Sequence, residues 1–86
     1  MSSVTIKFFA SIKEALGQST VRIDAEFEPR TVGGLTEYLR LNLQGFSQAI
    51  DETGFYRVAI NQQMVEDDAD VPVGAEVAFF PPVTGG

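Results

Sequence analysis

Val21-Arg22-Ile23-Asp24-Ala25-Glu26-Phe27, followed by the stretch Thr31 to Leu43, carries the strongest fold signal in the chain. The first seven residues alternate apolar and polar side chains without a fault. That is the signature of a strand with one buried and one wet face. Pro29 ends the pattern. Thr31 then stands where a helix N-cap belongs. Val32, Leu35, Leu39 and Leu43 recur at helical spacing, with Glu37 and Arg40 on the opposite side. A helix over Val32 to Asn42 follows. Gly33 and Gly34 fall in its first turn and weaken it. They do not make a phosphate loop, because neither G-x-G-x-x-G nor Gly-Lys-Ser/Thr is present.

On the N-terminal side, Val4-Thr5-Ile6-Lys7-Phe8 is a second alternating segment, and Phe9 breaks its parity by placing an aromatic ring on the other face. Ser11 to Leu16 reads as a short helical turn at best, stopped by Gly17. The two strands form an antiparallel pair. Beyond the helix, Gly45 to Gly54 reads as a connecting loop with a short turn at Gln48-Ala49-Ile50. Tyr56-Arg57-Val58-Ala59-Ile60 is a third strand, Asn61-Gln62 a tight turn, and Gln63-Met64-Val65 a short fourth strand. Val73-Gly74-Ala75 turns the chain into Glu76-Val77-Ala78-Phe79-Phe80. One helix packed on one face of a mixed sheet is an α+β domain. A right-handed connection through the helix pairs the first and last strands in parallel. This is the β-grasp, or ubiquitin-like, arrangement, with the domain over 1–80 and an extended tail over 81–86. Parity and helical spacing place Ile6, Phe8, Val21, Ile23, Leu35, Leu39, Val58, Ile60, Val77 and Phe79 in the core. Phe9, Phe80 and Met64 fall on the uncovered face.

Composition bounds the chemistry. The chain has 86 residues, of which 44% are hydrophobic and 21% charged, as expected of one small folded domain. Cysteine and histidine are both absent. The commonest nucleophile, general base and metal ligand are thereby missing. A net charge of −6 argues against nucleic acid and suits a partner with a basic surface. No stretch is long and apolar enough to span a membrane. Met1-Ser2-Ser3 lacks a basic leader, so a cytoplasmic location is the expectation. Glu66, Asp67, Asp68 and Asp70 form an acidic run. It lacks the glycine and closing glutamate of a calcium loop, so a solvated loop that assists docking is expected rather than a metal site.

What remains distinctive is the ending, Phe79-Phe80-Pro81-Pro82-Val83-Thr84-Gly85-Gly86. Pro81-Pro82 stiffen the stalk, and two glycines carry an unhindered carboxylate that fits a narrow channel. A carboxylate is a poor acyl donor until it is coupled to AMP. A sulfur nucleophile can attack that anhydride, and without cysteine the sulfur must come from another protein.

The chain resembles the small subunits of molybdopterin synthase, which are ubiquitin-like sulfur carriers. The resemblance is carried by Val77 to Gly86, with its Phe-Pro-Pro-Val-x-Gly-Gly ending, and continues through Val58-Ala59-Ile60-Asn61-Gln62 and Ile6-Lys7-Phe8-Phe9-Ala10. It implies that an E1-like adenylyltransferase uses ATP to adenylate Gly86. A sulfur donor, a cysteine desulfurase or a rhodanese-like protein, then makes the thiocarboxylate. The tail of Gly85, Thr84, Val83, Pro82 and Pro81 enters the large subunit of a heterotetramer, with Phe80, Phe9 and Met64 at the contact. There sulfur passes to cyclic pyranopterin monophosphate. The catalytic residues belong to the large subunit, and this chain binds no cofactor or metal of its own. Thiamine-pathway carriers and ubiquitin-like modifiers share the terminal Gly-Gly, the modifiers usually after a basic residue that is absent here. A pure interaction domain using the tail as an anchor is the alternative of another class.

Overall fold

The computed structural model describes residues 3–81. The chain runs β1 (Ser3–Phe8), α1 (Ala10–Leu16), β2 (Thr20–Asp24), α2 (Val32–Asn42), α3 (Phe46–Thr53), β3 (Arg57–Ile60), β4 (Gln63–Val65) and β5 (Glu76–Phe80). The five strands form one sheet in the order β2-β1-β5-β3-β4. β1 and β5 pair in parallel, with Ile6 opposite Val77 and Phe8 opposite Phe79. The other neighbours are antiparallel. The mixed sheet with helices on one face is the β-grasp arrangement expected from the sequence.

Alternation sets the two faces. Val4, Ile6 and Phe8 of β1 and Val77 and Phe79 of β5 are buried beneath the helices, while the residues between them are half-exposed. Every residue of the expected core is buried except Val21, which is half-exposed. It lies on β2 at the edge of the sheet, where only β1 flanks it. β2 is also shorter than its alternation suggests. Its ladder ends at Asp24, whose partner is Ser3, the first residue of β1. Beyond it, Ala25 to Phe27 leave the sheet, and Phe27 tucks into the core under the Arg30 guanidinium, 4.7 Å from the ring centre.

Two helices exceed the sequence expectation. The short turn after Phe9 is the seven-residue α1, closed by Gly17 in the left-handed region with its N–H on the Lys13 carbonyl at 2.8 Å. The segment from Gly45 to Gly54, a loop by sequence, contains the eight-residue α3, with Phe46, Ala49 and Ile50 buried. Phe46 meets Phe79 edge-on at 5.5 Å and Phe8 at 6.1 Å. A helix this short is marginal in water, so packing of that ring holds it. Arg40 of α2 adds hydrogen bonds to Ser47 and Asp51.

The start of α2 explains its two glycines. Thr31 accepts the Gly34 N–H as a cap, at 3.1 Å. A β-carbon on Gly34 would collide with the Pro29 carbonyl, so the close approach requires glycine. The N–H groups of Val32 and Gly33 donate to the carbonyls of Ala69 and Asp67, at 3.0 and 2.9 Å. The acidic run is therefore part of the architecture, because its backbone satisfies donors that a helix leaves open. It also brings negative charge toward the positive end of the helix dipole.

Candidate functional site: the tail root and the open face

Residues Pro82, Val83, Thr84, Gly85 and Gly86, expected to carry the chemistry, lie outside the described residues. Their root does not. β5 is flanked by β1 and β3, and its last residue, Phe80, is the register partner of Arg57. The Phe79 carbonyl accepts the Phe9 N–H at 3.1 Å. Pro81 has no N–H to donate, so the ladder cannot continue through it. Beneath this point, Phe79 is fully buried against Phe8, Phe46 and Tyr56, with ring centres 6.0, 5.5 and 5.8 Å away. The strand that leads into the tail is thus anchored in the most aromatic part of the core.

On the opposite face, Phe9 and Phe80 meet edge to face, 6.2 Å between centres. Phe9 is 46% exposed and Phe80 half-exposed. Parity along β1 and β5 predicts this placement. Met64, 48% exposed, reaches the same face from β4. It does not join the aromatic pair directly. Between them lies a floor of two alanines, since Ala59 pairs with Met64 on one side and with Ala78 on the other. Both are methyl side chains between larger flanking residues, with Ala59 itself buried and Ala78 half-exposed. Lys7 and Glu76, 3.8 Å apart and both partly exposed, border this floor on the β1 side. Such a solvated pair contributes little to stability.

On the β4 side, a depression of about 470 Å³ lies next to the tail root, lined chiefly by Phe55, Tyr56, Arg57, Met64, Glu66 and Asp67. Phe55 is 64% exposed. Ala59, Ala78, Arg57 and Phe55 do not stand out in the sequence. Strand order brings them together, and only the alternation within each strand hints at their facing. Among the described residues, no group of three or more acidic, histidine or cysteine side chains is placed to hold a metal ion. No helix among them is long and apolar enough to cross a membrane.

A mixed sheet with parallel β1 and β5 at its centre, helices on one face and an open apolar face on the other defines a ubiquitin-like β-grasp protein. The crystal structure of SAMP1 from Haloferax volcanii has the same fold, with a TM-score of 0.76 and 30% identity, covering 99% of this chain and all of that one. Residues 6–86 match the ThiS family, and the chain belongs to it. The molybdopterin synthase sulfur carrier subunit of Escherichia coli K12 is 35% identical over 83 residues, 96% of this chain and 99% of that protein. The sulfur carrier subunit of Haemophilus influenzae shows the same identity and the same coverage.

Proposed function

We propose that this chain is the sulfur carrier subunit of molybdopterin synthase and that Gly86 is its working end. The observation that carries the reading is the 35% identity to sulfur carrier subunits over nearly the whole of both chains, joined to a Gly-Gly terminus that follows directly from an anchored strand. An E1-like enzyme transfers AMP from ATP to the Gly86 carboxylate, releasing pyrophosphate. The outer sulfur of a donor-protein persulfide displaces AMP to give an acyl disulfide, and a second thiol cleaves its S–S bond, forming a disulfide with the donor cysteine and releasing the Gly86 thiocarboxylate. Five residues such as Pro82 to Gly86 span roughly 16 Å when fully extended, enough to enter a deep pocket of the large subunit. There the thiocarboxylate sulfur replaces an oxygen substituent on a carbon of cyclic pyranopterin monophosphate, the C–S bond forming as a C–O bond breaks and the oxygen leaves as water or phosphate; water then cleaves the acyl–sulfur bond, and the Gly86 carboxylate is restored. Each passage delivers one sulfur, so a dithiolene consumes two loaded carriers. Acid–base catalysis belongs to the large subunit. Pro81 and Pro82 reduce the freedom lost on threading, while Phe80, Phe9 and Met64 hold the domain at the channel mouth.

The test is tandem mass spectrometry after reaction with ATP, the activating enzyme and a sulfur source. Exchange of oxygen for sulfur should localise to Gly86 in the fragment ions, since methionine sulfoxide gives nearly the same intact mass shift. Deletion of Gly86, Gly86→Ala or a C-terminal extension should each greatly reduce sulfur transfer while the domain stays folded. Full transfer by an extended chain whose extension remains attached refutes the reading. The likeness to SAMP1, a small archaeal modifier protein, favours one second reading, attachment of the activated terminus to protein amines. Its product would be an amide to a partner lysine, and the same spectra distinguish the two.

A further inference from the structure

We propose that Arg57 is the ionic contact that sets how this carrier seats on the synthase subunit receiving its tail, and that it pairs there with a side-chain carboxylate of that subunit. The inference rests on the carrier reading above.

Arg57 stands at the tail root. It is the register partner of Phe80, the last strand residue before the tail. Alternation along β3 buries Val58 and Ile60 under the helices and turns Arg57 to the open face. Whatever protein takes the tail must therefore come within a side chain's length of it.

Its charge, like that of Lys13, has no ion pair among the described residues. Among the described residues, Lys7 faces Glu76, Arg22 faces Asp24 and Arg40 faces Asp51. Arg30 donates to the Val71 carbonyl and lies over Phe27. Arg57 has no ion pair or hydrogen bond among those residues and is exposed. A guanidinium stays charged at any physiological pH. Covering it without a counter-charge strips its water for no return. A docked surface at the tail root must therefore supply an anion.

The neighbours of Arg57 select the kind of anion. Glu66 and Asp67 line the same depression, so a phosphate chain or nucleic acid is repelled. A single carboxylate on a protein surface is not, provided a basic group lies beside it to meet Glu66 or Asp67. Exposed Phe55 and Met64 supply the apolar part of the contact. The complementary surface thus carries a carboxylate, a basic group and an apolar side chain next to one another. In a chain of charge −6, the acidic groups provide long-range attraction. Arg57 provides register, because a reversed charge opposite it penalises a wrong docking pose.

The experiment is calorimetric titration of the full-length carrier into the purified second synthase subunit. Arg57→Ala should weaken binding by roughly 10- to 30-fold and Arg57→Glu by roughly 100-fold, with Arg57→Lys retaining most of the affinity. Arg22→Glu, on the far edge strand β2, should stay within about twofold because it is distant from the tail root. The melting temperature of each variant guards against unfolding. Should Arg57→Glu fail to fold, Arg57→Gln keeps the length and should still lose roughly tenfold. Charge reversal of one carboxylate on the second subunit should restore binding of Arg57→Glu. Wild-type binding with Arg57→Glu or Arg57→Gln unchanged within about twofold overturns this inference alone. Failure of the wild-type chain to bind that subunit overturns the carrier reading and this inference with it.

Discussion

Phe79 and Phe80 are adjacent in sequence and identical in side chain, and the sheet gives them opposite work. Phe79 enters the covered face, where it is 0% exposed and surrounded by Phe8, Phe46 and Tyr56. Phe80 enters the open face, where its described ring contact is Phe9. The first ring stabilises the strand from which the tail leaves. The second covers little of its own protein and is available to another. A carrier needs both: a rigid root so that the tail is aimed, and an uncommitted surface so that a partner can hold it.

The largest effect expected is on stability, from removing Phe79. Phe79→Ala should cost about 3–5 kcal/mol in urea denaturation, the range for truncating a buried aromatic. That is enough to leave a domain of this size barely folded. Phe80→Ala should cost less than about 1 kcal/mol, because a half-exposed ring loses little burial on truncation. Equal costs for the two would erase the distinction between the faces.

The two glycines of α2 offer a parallel contrast on the helix side. Gly34→Ala should destabilise by about 3 kcal/mol, since the new methyl meets the Pro29 backbone and neither easily yields. Gly33→Ala meets the Asp67 carbonyl at 3.5 Å, ordinary contact, and should be neutral or stabilise by up to about 1 kcal/mol through helix propensity. A Gly34→Ala protein as stable as the wild type would mean that the Pro29 loop moves freely.

Binding is where the open face should dominate. Phe80→Ala should weaken association with the large subunit by roughly tenfold, as loss of a central aromatic anchor does. Met64→Ala, beyond the alanine floor, should lose no more than about threefold. A larger loss at Met64 than at Phe80 would shift the centre of the contact toward β4. The effect of salt should fall on the association rate. Raising ionic strength from about 0.05 to about 0.3 M should slow association several-fold with little change in dissociation. A salt-independent association rate would remove the acidic surface from docking.

Much of the fold can be read from the chain itself. The strand ending in Phe79-Phe80 and the helix from Val32 are readable because a period of two and a period of 3.6 leave different apolar patterns. The α3 helix is hidden by its flanking glycines, although Phe46, Ala49 and Ile50 do follow helical spacing. Gly45 and Gly54, both at positive φ, mark its two ends rather than a loop. Alternation overstates the length of β2, because Phe27 keeps the parity of the strand after the chain has left the sheet for the core. Gly33-Gly34 reads as a local weakness, since a close approach to Pro29 is invisible until the loop is folded.

Sequence pattern alone establishes which residues are apolar at which spacing, and hence the faces of the strands and the main helix. These depend on local geometry, which repeats every two or 3.6 residues whatever the rest of the chain does. Three further features exist only once the chain is folded. Arg57 stands beside Phe80, Ala59 and Ala78 form a floor between Met64 and the aromatic pair, and the carbonyls of Asp67 and Ala69 receive the first N–H groups of α2. Ala59 and Ala78 are 19 positions apart in the chain, Arg57 and Phe80 are 23 apart, and Val32 and Ala69 are 37 apart. The first two pairs meet through strand order and register and the third because the loop after β4 folds against the start of α2, and no local pattern encodes either arrangement.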